Sequence, residues 1–211
     1  MTPKEEAFAS LAEGMIKKLE MRGMEGHYFE NREALCSYLK ETLPEDAVIA
    51  AGGSESVKES GIMNLITSGD YTFIDRKAAK TPEESREIFS RTVLADYYFM
   101  STNAITMDGE LVNIDGNGNR IACLAQGPSH VYIIVGRNKV SVDLQDAIQR
   151  ARNIAAPANV KRLHKQTPCQ VQGRCGNCFS PDCICSHLIV TRHCGEKGRI
   201  HVFLVNEDLG Y

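Results

Sequence analysis

The amino-acid sequence predicts an α/β fold: a mainly parallel open sheet with flanking helices, an antiparallel meander near residues 97–124, and a cysteine-rich insertion before the last strand. Three observations predict it. The runs "AVIAAGG", "HVYIIVG" and "RIHVFLV" are continuously apolar, as strands buried on both faces are. In the first half of the chain, strand-like runs alternate with segments of helical spacing, the mark of βαβ units. That rhythm breaks between Tyr97 and Leu124, where Asp108-Gly109 and Asp115-Gly116 favour the φ > 0 geometry of tight hairpin turns. With 43% hydrophobic and 24% charged residues among 211, no internal repeat and no low-complexity linker, residues 1–211 read as a single domain.

Each element follows in order. Lys4–Arg22 puts Phe8, Leu11, Ala12, Met15, Ile16 and Leu19 on one helical face. "GHYFE" is a short strand, and Asn31 caps a helix reaching about Thr42. "AVIAAGG" ends in glycines, after which Ser54 opens a helix carrying Val57, Ile62 and Leu65. "YTFID" is a strand. Thr81–Glu84 reads as a capping box with Pro82 at the first helical position. "DYYFMSTNAIT" leads into the meander, and "HVYIIVG" returns as a buried strand. Asp143 caps "DLQDAIQRARNIA", which Ala156-Pro157 is expected to end, because the residue before a proline avoids helical geometry. "RIHVFLV" is the last strand.

Charge and cysteine usage narrow the functional classes. No apolar run approaches the ~18–20 residues of a membrane span, and the acidic, amphipathic start is unlike a signal peptide. The expected setting is cytoplasmic, where structural disulfides are rare. Net charge is −3, yet residues 158–200 carry seven Lys or Arg against Asp182 and Glu196. A basic segment of this kind attracts a small anionic metabolite or an anionic cluster. The mild total charge and the lack of basic runs argue against nucleic acid.

Six of the eight cysteines lie between residues 169 and 194, spaced C-x5-C-x2-C-x4-C-x-C-x8-C. Cys175 and Cys178 form a knuckle flanked by Gly173 and Gly176, which let the backbone turn sharply around an ion. Cys183 and Cys185 form a second pair. Zinc and a cubane iron–sulfur cluster each need four ligands, so Cys169, Cys175, Cys178, Cys183, Cys185 and Cys194 are the metal-ligand candidates. The first three with Cys183 or Cys185 are the favoured set. His187 or His193 can replace one thiolate in a zinc site, and iron–sulfur versus zinc stays open. Cys36 and Cys123 are isolated in apolar contexts and are assigned to the core.

Two further stretches carry candidate substrate groups. "AAGGSESVKESG" places Gly52, Gly53, Ser54 and Ser56 between a strand and a helix, where free N–H groups can face an anion. It is neither a dinucleotide motif nor a P-loop. "STNAITMDGELVNIDGNGNR" gathers Asn103, Thr106, Asp108, Glu110, Asn113, Asp115, Asn119 and Arg120. Asp108, Glu110 and Asp115 are candidates for acid–base or nucleophilic chemistry. Arg120 is the candidate fork for a carboxylate or phosphate. "GRNKV" adds Asn138 and Lys139. His27, His130 and His201 stand alone in sequence and read as structural or exposed.

Taken together, "NAITMDGELVNIDGNGNRIA", "GPSHVYIIVGRNKV", "APANVKRL", the "PC…GRCGNC" knot and "RIHVFLVNEDLGY" resemble the LUD (lactate-utilisation) domain family over nearly the whole chain. The resemblance implies a fold like that of the sugar-phosphate isomerase, glucosamine-phosphate deaminase and CoA-transferase group (NagB/RpiA/CoA transferase-like), whose members bind anions at the loop equivalent to Gly52–Ser56. It also implies a part in iron–sulfur-dependent oxidation of L-lactate or another 2-hydroxy acid, with iron–sulfur redox partner proteins; a homo-oligomer is a separate expectation. In CoA-transferases a catalytic Glu precedes an Asn-Gly turn, and Asp108 and Glu110 flank Gly109 in loose analogy. The departure is that the cysteines here lie in the domain itself. An isomerase or CoA-transferase-type enzyme and a non-enzymatic metal- or redox-responsive module are the alternative readings.

Overall fold

A computed structural model describes residues 1–211. In chain order the elements are α1 (Pro3–Met21), β1 (Glu25–Phe29), α2 (Arg32–Thr42), β2 (Val48–Ala51), α3 (Glu55–Glu59), α4 (Ile62–Ser68), β3 (Thr72–Ile74), α5 (Pro82–Val93), β4 (Tyr97–Met100), β5 (Ala104–Thr106), β6 (Leu111–Asp115), α6 (Asn119–Ala125), β7 (His130–Gly136), β8 (Val140–Ser141), α7 (Leu144–Arg150), α8 (Ala156–Arg162), α9 (Pro168–Gln172), β9 (His187–Thr191) and β10 (Ile200–Val205). Helix starts are fixed locally. Thr2, Asn31, Ser54, Thr81 and Asp143 each accept a hydrogen bond from the backbone N–H three residues on, which satisfies a donor the helix leaves orphaned.

Six strands form a wholly parallel sheet in the order β1-β10-β7-β4-β2-β3. Successive side chains go to opposite faces. Val202, Leu204, Ile133, Val135, Tyr98 and Met100 join Ala12, Met15 and Leu19 of α1 and Cys123 and Leu124 of α6 in one apolar layer. Phe203, Val205, Ile134, Phe99 and Ile49 join Leu35, Leu39, Val57, Ile62 and Ile66 of α2, α3 and α4 in the other. Burial on both faces is why these strands read as unbroken apolar runs. Buried Arg199 donates to the carbonyls of Cys123, Leu124 and Pro128, tying down the end of α6.

A second sheet, β8-β5-β6-β9, stands beside the first. The expected meander is shorter than its sequence suggested. Only β5 and β6 form a hairpin, across Gly109 at φ 86°. β4 belongs to the main sheet and Asn119–Ala125 is helical. Asp115-Gly116 is no hairpin turn: the Asp115 carboxylate accepts from Asn117 N and Gly118 N and leads the chain into α6. Within the cysteine-rich stretch, β9 pairs antiparallel with β6, an element not anticipated from the sequence.

Pro157 does not end its helix. Residues Ala151–Ala155 form a π turn joining α7 to α8, with Ala156 N–H bonded to the Ala151 carbonyl five residues back. Proline lacks an N–H and its ring clashes with the carbonyl four residues before it in a regular helix. The wider π turn ahead of Pro157 relieves that clash, and such turns recur at functional sites.

Candidate functional site

Because the main sheet is parallel, β2, β4 and β7 deliver Gly52, Ser101 and Arg137 to one edge, the carboxyl edge where α/β proteins place ligands. There an inner cavity of about 80 Å³ is lined by Ser54, Ser56, Ser101, Thr102, Lys139 and Tyr211, among others. It meets a cleft of about 390 Å³ along Gly53, Asn103, Ile114, Arg120 and Asn159. Arg76, Arg162 and Lys165 line the cleft alongside Asp115, Asn117 and Asn119. Arg162 is 3.6 Å from Glu55 and Lys165 is 3.5 Å from Asp182. The Arg76 guanidinium makes no hydrogen bond or ion pair with the protein, and it lies against Gly53, where a Cβ would meet it at 2.5 Å.

Lys139 sits at the bottom of the inner cavity, 4% exposed. Its Nζ donates to Ser56 Oγ at 2.7 Å, Ser101 Oγ at 3.0 Å and the Thr102 carbonyl at 3.3 Å. Burial, with Arg150 and Arg120 nearby, lowers its pKa to about 7. Ser56 in turn donates to the Leu209 carbonyl. Asn138 does not line the cavities. It grips the C-terminal segment, donating to Gly210 O and accepting from Leu209 N, and that segment brings Tyr211 to the cavity.

Other candidates are engaged by the protein itself. Arg120 forks the protein itself: it donates to Ser101 O and Asn113 Oδ1 through Nη1, and to Ile114 O and Asn103 Oδ1 through Nη2. Its Nε lies 3.4 Å from Asp115 Oδ2. Every donor direction is thus engaged, and both Asp115 oxygens are used, one by Arg120 and one by the turn before α6. Asn113 is fully buried, and its Nδ2 finds no partner. Ser54 caps α3, which is only five residues long, so little helix dipole accumulates behind Gly52 and Gly53.

Asp108, Glu110 and Thr106 lie elsewhere, on the hairpin that packs against the end of α1. Lys18 is 3.4 Å from Asp108 and Arg22 is 3.6 Å from Glu110. Arg22 also donates to the Asp108 and Arg192 carbonyls. Thr106 Oγ1 accepts from Glu110 N inside the turn. None of the three lines the carboxyl-edge cavities.

Five of the six clustered cysteines do share a cavity. Cys169, Cys175, Cys178, Cys183 and Cys185 line a space of about 610 Å³ with Arg152, Phe179 and Leu188. Cys194 stands apart in the main core, its N–H bonded to Arg22 O and its thiol to Glu196 O. The π turn aims two side chains at the knuckle: Arg152 Nη2 is 3.5 Å from Cys175 Sγ, and Asn153 Oδ1 accepts from Cys175 N. Asn177 N also donates toward Cys175 Sγ. Burial, then the adjoining thiols of Cys183, Cys175 and Cys169, push Cys185 up to about 12. This thiol cavity and the cationic cleft share Ile114 and Ala156, and Ile184, between Cys183 and Cys185, faces the cleft. Arg76, Ser101, Thr102, Arg162 and Tyr211 were not singled out by sequence reasoning, though Arg162 lies within the basic segment, while Asn159 belongs to the "APANVKRLH" stretch whose Asn and Lys the sequence did offer.

A family model described as LUD domain matches residues 12–205. No curated protein matches the chain. Among solved structures the chain is similar to a DUF162 family protein from Deinococcus radiodurans, with 13% identity over 93% of this chain and 97% of that one and a TM-score of 0.48. It is also similar to ribose 5-phosphate isomerase from Plasmodium falciparum (20% identity, 53% and 52% covered, TM-score 0.32). A third is eIF2B delta from Chaetomium thermophilum (13% identity, 69% and 59% covered, TM-score 0.37).

Proposed function

The chain belongs to the LUD domain family, and from that premise we propose that it serves the utilisation of L-lactate or a related 2-hydroxy acid, binding the anion in the carboxyl-edge cleft and carrying a cysteine-ligated iron–sulfur cluster in the adjoining cavity. The observation that carries the reading is the shared wall: Ile114 and Ala156 line both spaces, so a bound metabolite and a thiolate-held group would be near neighbours. Family membership supports the substrate class, and the cleft supports the charge. Arg76 and Arg162 suit a carboxylate, and a cleft of about 390 Å³ suits a small metabolite.

The donor set fits a cluster better than a single zinc ion. Tetrahedral zinc needs its sulfurs about 3.8 Å apart, whereas no three of the thiols come within 4.8 Å of one another. The cavity of about 610 Å³ leaves room for a larger group. Cys169, Cys175, Cys178 and one of Cys183 and Cys185 would hold it, with the Arg152 and Asn177 donors at Cys175 offsetting its negative charge. When bound, such a cluster supplies one-electron transfer to or from a partner protein. The chain's own part is to orient the carboxylate through Arg76 and Arg162. Lys139, poised near neutrality, can take or return a proton at the substrate hydroxyl.

The second reading is an isomerase or transferase without redox chemistry. Lys139 and Ser56 favour it, since a near-neutral lysine beside a hydroxyl serves proton transfer equally well. One experiment separates the two. Anaerobically purified protein is assayed for iron, acid-labile sulfide and visible absorption, and for L-lactate binding by calorimetry. The first reading expects iron and sulfide together and lactate binding that Arg76→Ala weakens. Protein without iron and sulfide, whose cleft instead retains a sugar phosphate or CoA, supports the second reading.

A further inference from the structure

We infer that Glu25, His27 and His201 form a binding site for one first-row divalent metal ion, zinc foremost, where β1 and β10 begin. In the parallel register Glu25 lies opposite His201 and His27 opposite Phe203. Glu25 and His27, two apart on β1, therefore share a face with His201. The three side chains converge: His27 Nε2 is 3.4 Å from His201 Nδ1, and Glu25 Oε2 is 3.4 Å from the same nitrogen. No other three His, Cys, Asp or Glu residues bring ligand atoms within 4.8 Å of one another. Nitrogen and oxygen ligands ~2.0–2.1 Å from a tetrahedral zinc stand about 3.3–3.4 Å apart, which is the spacing of His201 Nδ1 from both other ligand atoms.

The hydrogen bonds around the group set its chemistry. His201 Nε2 lies 2.9 Å from the Gly198 carbonyl, which can only accept, so that nitrogen carries the proton. In the neutral ring Nδ1 then presents its lone pair toward both His27 Nε2 and Glu25 Oε2, each 3.4 Å away. A divalent cation at that lone pair would take the place of the His27 proton and draw all three ligand atoms onto one centre. A backbone carbonyl behind the far ring nitrogen is also the usual outer support of a metal-bound histidine. His27 is held in place by stacking on Phe203, with centroids 4.9 Å apart, and by Tyr38 at 5.8 Å. The Glu25 side chain is 45% exposed, which leaves an entry path and a fourth position for water. The site lies at the end of the sheet opposite the cleft, and metal there would pin edge strand β1 to β10.

The thiol cavity is a second potential metal site, so the test must tell nitrogen and oxygen ligation from sulfur ligation. Chelator-stripped full-length protein is titrated with Co²⁺ and followed optically, then with Zn²⁺ and followed by metal analysis. The expected result is one equivalent of Co²⁺ giving visible ligand-field bands without the near-ultraviolet thiolate charge-transfer band. His27→Gln and His201→Gln should abolish that equivalent and leave any thiolate-type signal intact. Glu25→Gln, which alters a half-exposed side chain and so preserves the fold, should weaken it at least about 100-fold, the upper end of what losing an outer-shell partner costs. The inference is overturned if wild-type protein takes up cobalt only with thiolate character, or if Glu25→Gln binds as tightly as wild type.

Discussion

The central strands of the six-stranded sheet bury nearly every side chain between two apolar layers, whereas the four-stranded sheet lends Ile105 and Leu111 to one of those layers and has a cluster of its own of only five buried apolar residues, Ala104, Val112, Ile114, Ala147 and Ala151. What orders the second sheet is directional. Arg120 ties β4, β5 and β6 together at their ends, and Arg150 reaches the carbonyls of Asn138 and Asn103. Thr102 Oγ1 lies within hydrogen-bond distance of the Ala104 and Val112 carbonyls. Apolar burial stabilises but is non-directional. A buried polar network fixes positions, and it becomes costly when one member is lost. The cleft and the thiol cavity both lie along the polar region, where position matters most.

Arg120→Ala is the strongest way to break this contrast. It should cost about 3–5 kcal/mol, because Asn113 and Asp115 would keep buried groups without their partner. That equals the expected cost of Phe203→Ala, about 3–5 kcal/mol, at the centre of the apolar sheet. Denaturant unfolding of the two variants side by side makes the comparison. Arg120→Lys should rescue little, since one ammonium cannot replace a fork spanning four acceptors. A loss under about 0.5 kcal/mol, the range of an ordinary surface residue, would mean the second sheet does not depend on the network.

The same contrast explains what was legible in the sequence. β2, β7 and β10 announce themselves because double-sided burial demands unbroken apolar runs, and the caps at Asn31, Thr81 and Asp143 are local chemistry. The second sheet depends on partners far along the chain. β9 is an edge strand whose only ladder is to β6, and its side chains are half exposed. Asn119–Ala125 is too short for its periodicity to override two Asp-Gly pairs. Pro157 was read by its usual effect, which the π turn averts. Lys139 and Arg120 were identified as residue types, but their roles were not. Whether an arginine forks a ligand or its own carbonyls depends on the strand ends folded around it.

Lys139 sharpens the comparison at the seam between the sheets. Its folded pKa of about 7 lies well below the ~10.4 of an unfolded lysine. Between those values the unfolded chain binds the proton that the folded chain has released, so stability attributable to Lys139 rises with pH. The rise is at most about 1.4 kcal/mol per pH unit across that window and stops near the unfolded value. Unfolding free energies of wild type and Lys139→Met, measured from about pH 7 to about pH 10, should diverge in favour of wild type as pH increases. Parallel profiles would place the ammonium in an environment no drier than the surface.

The smallest effect is expected at two of the three carboxylates that the sequence offered for catalysis, Asp108 and Glu110. Asp108 is two-thirds exposed, pairs with Lys18, itself half exposed, and does not line the cleft. Such a pair contributes between about 0 and 1 kcal/mol and is screened by salt. Asp108→Asn should therefore change stability by less than about 0.5 kcal/mol and leave the lactate binding proposed for the cleft unaltered, as calorimetry would show. Glu110 is better buried beside Arg22, so Glu110→Gln should cost somewhat more in stability and equally little in binding. If either substitution abolished binding, the hairpin would have to reach the ligand by a route other than the cleft lined by Arg76 and Arg162. At Thr106–Glu110 the polar residues serve turn geometry and anchoring to α1 through Arg22, whereas Asn103, Asp115, Asn119 and Arg120 of the same stretch line the cleft.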